Sequence, residues 1–484
     1  MIRAIIKLDC ALLFRSRAGW LLAVLLVAAA ALALSSGLDW RERYLGAAEN
    51  ARAQVAEDHD VLAGVYADIE SGRRQPTNVD TFDGNGEFIP DPRDPYVAGF
   101  YHTQLAELPA GPLLGLATGS TELRATHHRI KSVPLNSLMQ VGEPAERVNP
   151  GALAAGRFDL LAFILYLCPL ALALLLFDAT AREREGGLAP LLAGLGASKR
   201  DLLVARGLTR GGLIAAIAVS ASAVGIVLIG ATEPTVIFGW IMGTLVYLAF
   251  WTVLLLWVAS SGLAMVGAAA VAVGLWVMLM LLSPGLIERT LRPDGLLEPR
   301  ALADAAVRRV GRETNANPEA QAAAKARVAR EYWKIDFATA PACADREGVL
   351  TEYVERRLSD ETYSAAIRQG AAREAMYDTR LDRWGWISPA LGVRRSMESL
   401  AGVDPARQRL FEEQVISYHA AWRNRITDAL FACRSLDRAA FDTAPRFAWR
   451  APGISNTALI GIGSAALLTL LIGVIALRKR SLLD

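Results

Sequence analysis

The densest run of reactive side chains is Glu183-Arg184-Glu185, followed by Gly187, four leucines at Leu188, Leu191, Leu192 and Leu195, and then Lys199-Arg200. The leucines recur at helical spacing between charged flanks. Such a run reads as a short apolar helix that sits in a protein cleft, with the charges fixing its register. Glu183 and Glu185 are expected to pair with basic residues on a partner or on the N-terminal helix. The plainer reading is a solvated charged loop that only sets topology.

No other group of residues matches this one. There is no Gly-x-x-x-x-Gly-Lys-Ser/Thr run to cradle phosphate, no Gly-x-Ser-x-Gly and no His-Glu-x-x-His. No catalytic residue and no cofactor is therefore expected in this chain. The five histidines (His59, His102, His127, His128, His419) lack metal-ligand spacing, and His127 and His128, adjacent in a strand, would face opposite ways, so no metal is expected either. Of the four cysteines, Cys10 and Cys168 read as packing residues. Cys343 and Cys433 either join as a disulfide, which an oxidising compartment favours, or stay as two buried thiols.

What must position these residues is a membrane protein. Hydrophobic residues make up 53% of the 484 and charged residues 21%, too apolar for an ordinary soluble enzyme and too charged for spans alone. A net charge of +2 excludes a nucleic-acid binder that works by bulk charge. Charge-free runs long enough for a hydrocarbon core of about 30 Å place six spans, at 18–38, 160–177, 211–232, 235–258, 263–282 and 453–477, with a turn at Ser260-Ser261-Gly262. The first is read as a retained anchor, being too long and too far from the N-terminus for a signal peptide. Arg3, Lys7, Arg15 and Arg17, the bases of the 178–210 loop, and Arg478-Lys479-Arg480 fall on one side, so both termini and the 478–484 tail are expected in the cytoplasm.

The long connections 39–159 and 283–450 then face outward. Trp40–Arg74 reads as a helix extending the first span, Pro76–Pro95 as turn-rich loop, and Gly115–Val141 as room for a short strand or two. The second connection holds three helix-favouring runs, Arg300–Asp336, Glu347–Trp384 and Pro405–Leu436. Residues 1–17 read as an interfacial helix whose apolar face is broken by Asp9. No span carries an Asp, Glu, Lys, Arg or His inside, which argues against an ion-coupled carrier. Tyr166, Ser220, Ser222, Thr244, Tyr247 and Thr252 are the polar span residues, and helix packing accounts for them.

Two stretches carry a family resemblance. Asn149-Pro150-Gly151-Ala152-Leu153 and Gly156-Arg157-Phe158-Asp159 precede the second span, and Glu183, Arg184, Glu185 and Gly187 follow it in register, with Leu188, Gly196, Lys199 and Arg206 where Thr, Pro, Arg and Lys are usual. This resembles the ABC-2-type permeases, the membrane subunits of many bacterial ABC exporters. Ile387-Ser388-Pro389, Leu400-Ala401-Gly402-Val403-Asp404 and Phe411 look like a subgroup with enlarged outer loops. The resemblance implies a mainly α, six-helix, type V exporter-like permease in the bacterial inner membrane, with a large, mostly helical extracytoplasmic domain. It implies that residues 178–210 hold a coupling helix for a cytoplasmic ABC ATPase dimer, which carries the ATP and Mg, and that 1–17 form an elbow helix. A second permease copy, or a related permease, completes the pump, and a periplasmic protein is a possible further partner. The rival readings are a mechanotransmission subunit without transport and a membrane-anchored periplasmic enzyme.

Overall fold

The computed structural model describes residues 2–74, 91–119, 121–141, 157–292, 299–334, 349–385, 387–452 and 457–478. The sequence's turn-rich loop as far as residue 90, the stretch 149–156 and Cys343 lie outside them. Helix α1 (Ile2–Arg15) ends at Ser16, whose hydroxyl caps α2 by accepting from the Gly19 N–H at 3.1 Å. Helix α2 (Arg17–Glu70) is 54 residues of Ala, Leu, Glu and Arg without proline. At about 1.5 Å per residue it is roughly 80 Å long, so the first span and its expected extension are one uninterrupted helix.

A small module follows: α3 (Pro95–Tyr101), then β1 (Gln104–Glu107) paired antiparallel with β2 (His127–Ile130), Leu105 opposite Arg129, then α4 (Leu135–Val141). The strand β2 falls in the expected window, whereas β1 precedes it. The apolar helices α5 (Leu160–Glu185), α7 (Lys199–Ile229), α8 (Pro234–Ala259) and α9 (Met265–Leu291) join α2 as five helices long and apolar enough to cross a membrane. Short α6 (Ala189–Gly194) lies between α5 and α7. The expected turn between α8 and α9 is present, with Gly262 at φ 83°. Helices α10 (Pro299–Asn315), α11 (Pro318–Val328), α12 (Val349–Gly385), α13 (Pro389–Ala401), α14 (Pro405–Phe431) and α15 (Arg438–Asp442) build the large domain. The chain closes with α16 (Thr457–Arg478), whose apolar run among the described residues is the shorter Ile460–Ile475.

Two large cores result. One fills the bundle, with Trp240, Tyr247, Trp251 and Phe163 buried at its centre. The other lies in the domain around Tyr353, Tyr363, Phe411, Trp422 and Ile426. The boundary between them is crossed by one helix of the 283–450 segment. Helix α13 returns to the bundle and packs on α8 and α16, placing Met397 against Gly243 and Leu400 against Gly239. Gly392 of α13 crosses Gly461 of α16 so closely that a Cβ on Gly461 would lie on the Gly392 carbonyl. Leu113, Leu114, Leu116 and Ala117, from the first connection, are also buried in the bundle core. The charges of α13 (Arg394, Arg395, Glu398) conceal its apolar face in the sequence.

Candidate functional site

The loop between α5 and α7 is built around two arginines one helical turn apart on α7. Arg206 grips the buried Glu183 carboxylate with both guanidinium nitrogens, Nη1 lying 2.8 Å from Oε2 and Nη2 on Oε1. It also donates to the Ala179 carbonyl, and its Nε lies 3.8 Å from Asp9 Oδ1. Arg210 donates from Nη2 and Nε to Asp9 at 3.0 and 3.2 Å, and from Nη1 to Asp178 at 2.6 Å and the Leu175 carbonyl at 2.5 Å. The Thr209 hydroxyl gives Asp9 a further bond at 2.5 Å. Burial alone would raise the Asp9 carboxyl, but the hydrogen bonds from Arg210 and Thr209 hold it below the ordinary carboxylate range. Five charged side chains thus pin α1, the end of α5 and the start of α7 together.

The rest of the loop is fixed by its turns. Helix α5 ends at Gly186-Gly187, with Gly187 at φ 69° and the Leu188 N–H returning to the Glu183 carbonyl at 2.8 Å, a left-handed cap that glycine adopts without strain. Arg184 donates to the Leu263 carbonyl at 2.5 Å, and Glu185 accepts the Met265 N–H at 2.7 Å, setting a carboxylate at the N-terminus of α9. Ser198 and Asp201 form a capping box that starts α7. On and beside α6, Leu188, Leu191 and Leu195 are 51%, 66% and 70% exposed, while Leu192 is half-buried. Lys199 is buried and Arg200 exposed. Of the ten loop residues singled out by sequence, Glu183 and Glu185 are engaged within the chain, with Arg206 of α7 and the Met265 N–H rather than with a base of the N-terminal helix. Asp9, Asp178, Arg206 and Arg210 were missed as a site. Their signals were an acid on an otherwise apolar helix face and two arginines at i, i+4 at the start of a span.

Residues 3–295, more than half of the chain, match the model of the ABC-2 family transporter protein. The chain belongs to the ABC-2 transporter family. Residues 300–450 match a second model, described as a domain of unknown function, DUF3526. Neither a curated protein nor a solved structure matches the chain. The chain is thus a multi-pass membrane permease of the ABC transporter class, not itself the catalytic subunit, with the mainly helical fold of that class.

In this permease the second sequence motif proves architectural. Ser388 precedes α13 with Pro389 in its first turn, and its hydroxyl lies 3.1 Å from that of Ser283 on α9. Gly402, at φ 69°, ends α13, and Asp404 caps α14 by accepting from Ala406 and Arg407 N–H at 3.0 and 3.1 Å. Phe411 is fully buried and stacks near His128. The polar span residues also pack: Trp240 donates to Ser222 at 3.1 Å and Tyr247 to the Leu165 carbonyl at 2.9 Å. In the domain, Arg423 pairs with Asp360, and His419 Nε2 lies 2.9 Å from the Val133 carbonyl. Among the described residues no cluster of three or more His, Cys, Asp or Glu is arranged to hold a metal. Cys10 and Cys168 are free thiols. Cys433 follows α14 at φ 53°, and its expected partner Cys343 lies outside the described residues.

Proposed function

We propose that this permease works as a dimer, with itself or a related permease, driven by two cytoplasmic ABC ATPase subunits that carry ATP and Mg, and that α6 is the coupling helix seated in the ATPase. The observation that carries this reading is the pairing of exposed Leu188, Leu191 and Leu195 with the buried clamp beneath them. Among the described residues the ridge is left largely uncovered, and the clamp joins it to α1, α5 and α7. Force applied to α6 reaches three helices through charge pairs that are already desolvated. Burying the ridge would contribute on the order of a few kcal/mol to assembly. The topology that goes with this reading places both termini and α6 in the cytoplasm of the inner membrane and the α10–α15 domain outside. Reporter fusions at Gly194 and Arg434 test it, and a cytoplasmic signal at Arg434 defeats it. In the oxidising space so assigned, Cys343 and Cys433 form a disulfide, which non-reducing peptide mapping checks.

A second reading shares the ATPase but moves no substrate: hydrolysis works the outer domain against a periplasmic protein. Helix α2 favours it, because one continuous helix runs from the charged end of the bundle to residues that pack in the domain, where Tyr66 donates to the Pro92 and Leu436 carbonyls at 2.9 Å. The deciding experiment reconstitutes permease and ATPase in lipid nanodiscs and liposomes. Leu191→Asp should abolish co-purification or uncouple hydrolysis. ATPase-dependent release of lumenal or bilayer-borne cargo supports the pump, whereas nucleotide-dependent movement of the domain without cargo release supports the second reading. Wild-type assembly and turnover in Leu191→Asp would remove the coupling assignment.

A further inference from the structure

Helix α1 is inside out with respect to its own composition. The one fully buried residue of the helix is Asp9, while Leu8, Leu12 and Phe14 are 60%, 49% and 65% exposed. The cause is the clamp, which draws the acid inward and turns the leucines toward a groove of about 660 Å³. That volume lies within the ~300–1,000 Å³ usual for ligand sites. Its walls are Leu8 and Leu12 of α1, Leu174 within α5, Leu188 before α6 and Leu191 on it. Ala18, Gly19 and Leu22, the first turns of the apolar stretch of α2, complete one side, so the groove opens where two membrane helices begin.

The charged lining is specific in its pairing. Asp9, Asp178 and Glu183 are all engaged by Arg206 and Arg210, as described above. Arg182 also lines the groove, is exposed, and its guanidinium makes no hydrogen bond or ion pair with the described residues. A groove with a leucine-lined wall beside the start of an apolar helix, and a guanidinium in its lining without a partner among the described residues, are complementary to one class of molecule. The geometry points to a phospholipid-binding site, with an acyl chain along the leucines between α1 and α6 and the phosphate on Arg182. A guanidinium is suited to that phosphate, giving paired, charge-assisted hydrogen bonds. The lipid would brace α1 against α6 across the groove that the clamp residues also line. This goes beyond the coupling assignment and does not require it, since the site lies wholly within one permease chain.

The test uses the full-length permease alone, purified in mild detergent, with native mass spectrometry after addition of phosphatidylethanolamine, phosphatidylglycerol or diacylglycerol of the same chain length. One phospholipid per chain should survive, with either headgroup, and diacylglycerol should not. Arg182→Gln should lower retention roughly tenfold, the loss of one charge-assisted contact. Leu174→Trp and, separately, Leu12→Trp should fill the groove and abolish retention, each variant being required to keep the wild-type melting temperature and size-exclusion profile. Leu228→Trp, at an exposed position at the other end of α7, should change nothing. Equal retention of diacylglycerol, or full retention in both groove-filling variants, would show annular lipid only and overturn the proposal. A groove that holds no lipid in the permease alone and becomes protected only on adding the ATPase would assign it to that subunit instead.

Discussion

The two ends of this molecule both bury arginine against carboxylate, and they do it to different effect. At the domain end Arg423, 1% exposed, meets Asp360 inside an apolar core of Tyr353, Trp422 and Ile426, with Asp360 also accepting the Leu135 N–H at 2.7 Å. One pair there fixes the register of α12 against α14. At the loop end, five charges from α1, α5 and α7 form a chain of contacts directly beneath leucines that are exposed. The domain pair is surrounded by packing that would hold without it. The loop clamp ties α1 to α5 and α7, while Leu8, Leu12 and Phe14 of α1 stay exposed. A buried ion pair set in a core fixes one register, whereas the buried ion chain beneath the exposed leucines ties three helices to one another.

The largest effects should separate these roles. Arg423→Ala and Arg206→Ala each leave a carboxylate buried and unpaired, which costs about 3–5 kcal/mol, read as loss of thermal stability in detergent. The comparison sharpens with double variants. Asp360→Leu with Arg423→Met replaces the domain pair by apolar groups and should recover most of the loss. Glu183→Leu with Arg206→Met should leave α1 open to proteolysis, because Asp9 keeps only Arg210 and Thr209. Equal recovery at both ends would break the distinction.

The next effect is one of acid stability, and in the range where histidine titrates it belongs to the domain end. Burial pushes the His102 imidazole down to about 4 and that of His419 to about 3. Both are neutral in the folded domain while an unfolded histidine titrates near about 6.5. Between those values the unfolded chain binds more protons, so stability must fall as pH drops through that window, at up to about 1.4 kcal/mol per pH unit for each histidine. Unfolding midpoints measured from pH 7 to pH 4.5 check this. His102→Gln should flatten the slope, and an unchanged slope would show that the imidazole is reached by solvent.

Gly461→Ala forces a methyl group onto the Gly392 carbonyl where α16 crosses α13, and overpacking of this kind costs about 1–3 kcal/mol. It tests whether the domain is seated on the bundle at that crossing. The smallest stability effect is expected at the ridge: Leu191→Asp, at an exposed position, should shift unfolding by no more than about 0.5 kcal/mol while removing coupling. A large drop in stability would mean that α6 already packs within this chain.

Much of the frame was legible because it follows from length and charge. The long apolar helices announce themselves as charge-free runs, and Ser260-Ser261-Gly262 reads as a turn. The site was only half legible. Periodicity shows the leucines of α6, but it does not show which way a charge faces. Glu183 and Asp9 look like surface acids until Arg206 and Arg210, some 20 and 200 residues away in sequence, are brought beside them. Helix α13 was illegible for the same reason, since Arg394, Arg395 and Glu398 suggest solvent while Val393, Met397 and Leu400 are packed into the bundle.

The crossing of α2 at Gly37 has a mechanical consequence. There the helix meets the Gly115 carbonyl so closely that no side chain would fit between them. That contact divides the rod into a shorter arm of about 30 Å toward Arg17 and a longer one of about 50 Å toward Glu70, at 1.5 Å per residue. With Gly37 as a fulcrum, a given tilt carries the Glu70 tip about 1.6 times as far as the Arg17 tip, and in the opposite direction. A rocking of α2 about that contact would therefore displace the domain end further than the loop end, and in the opposite direction.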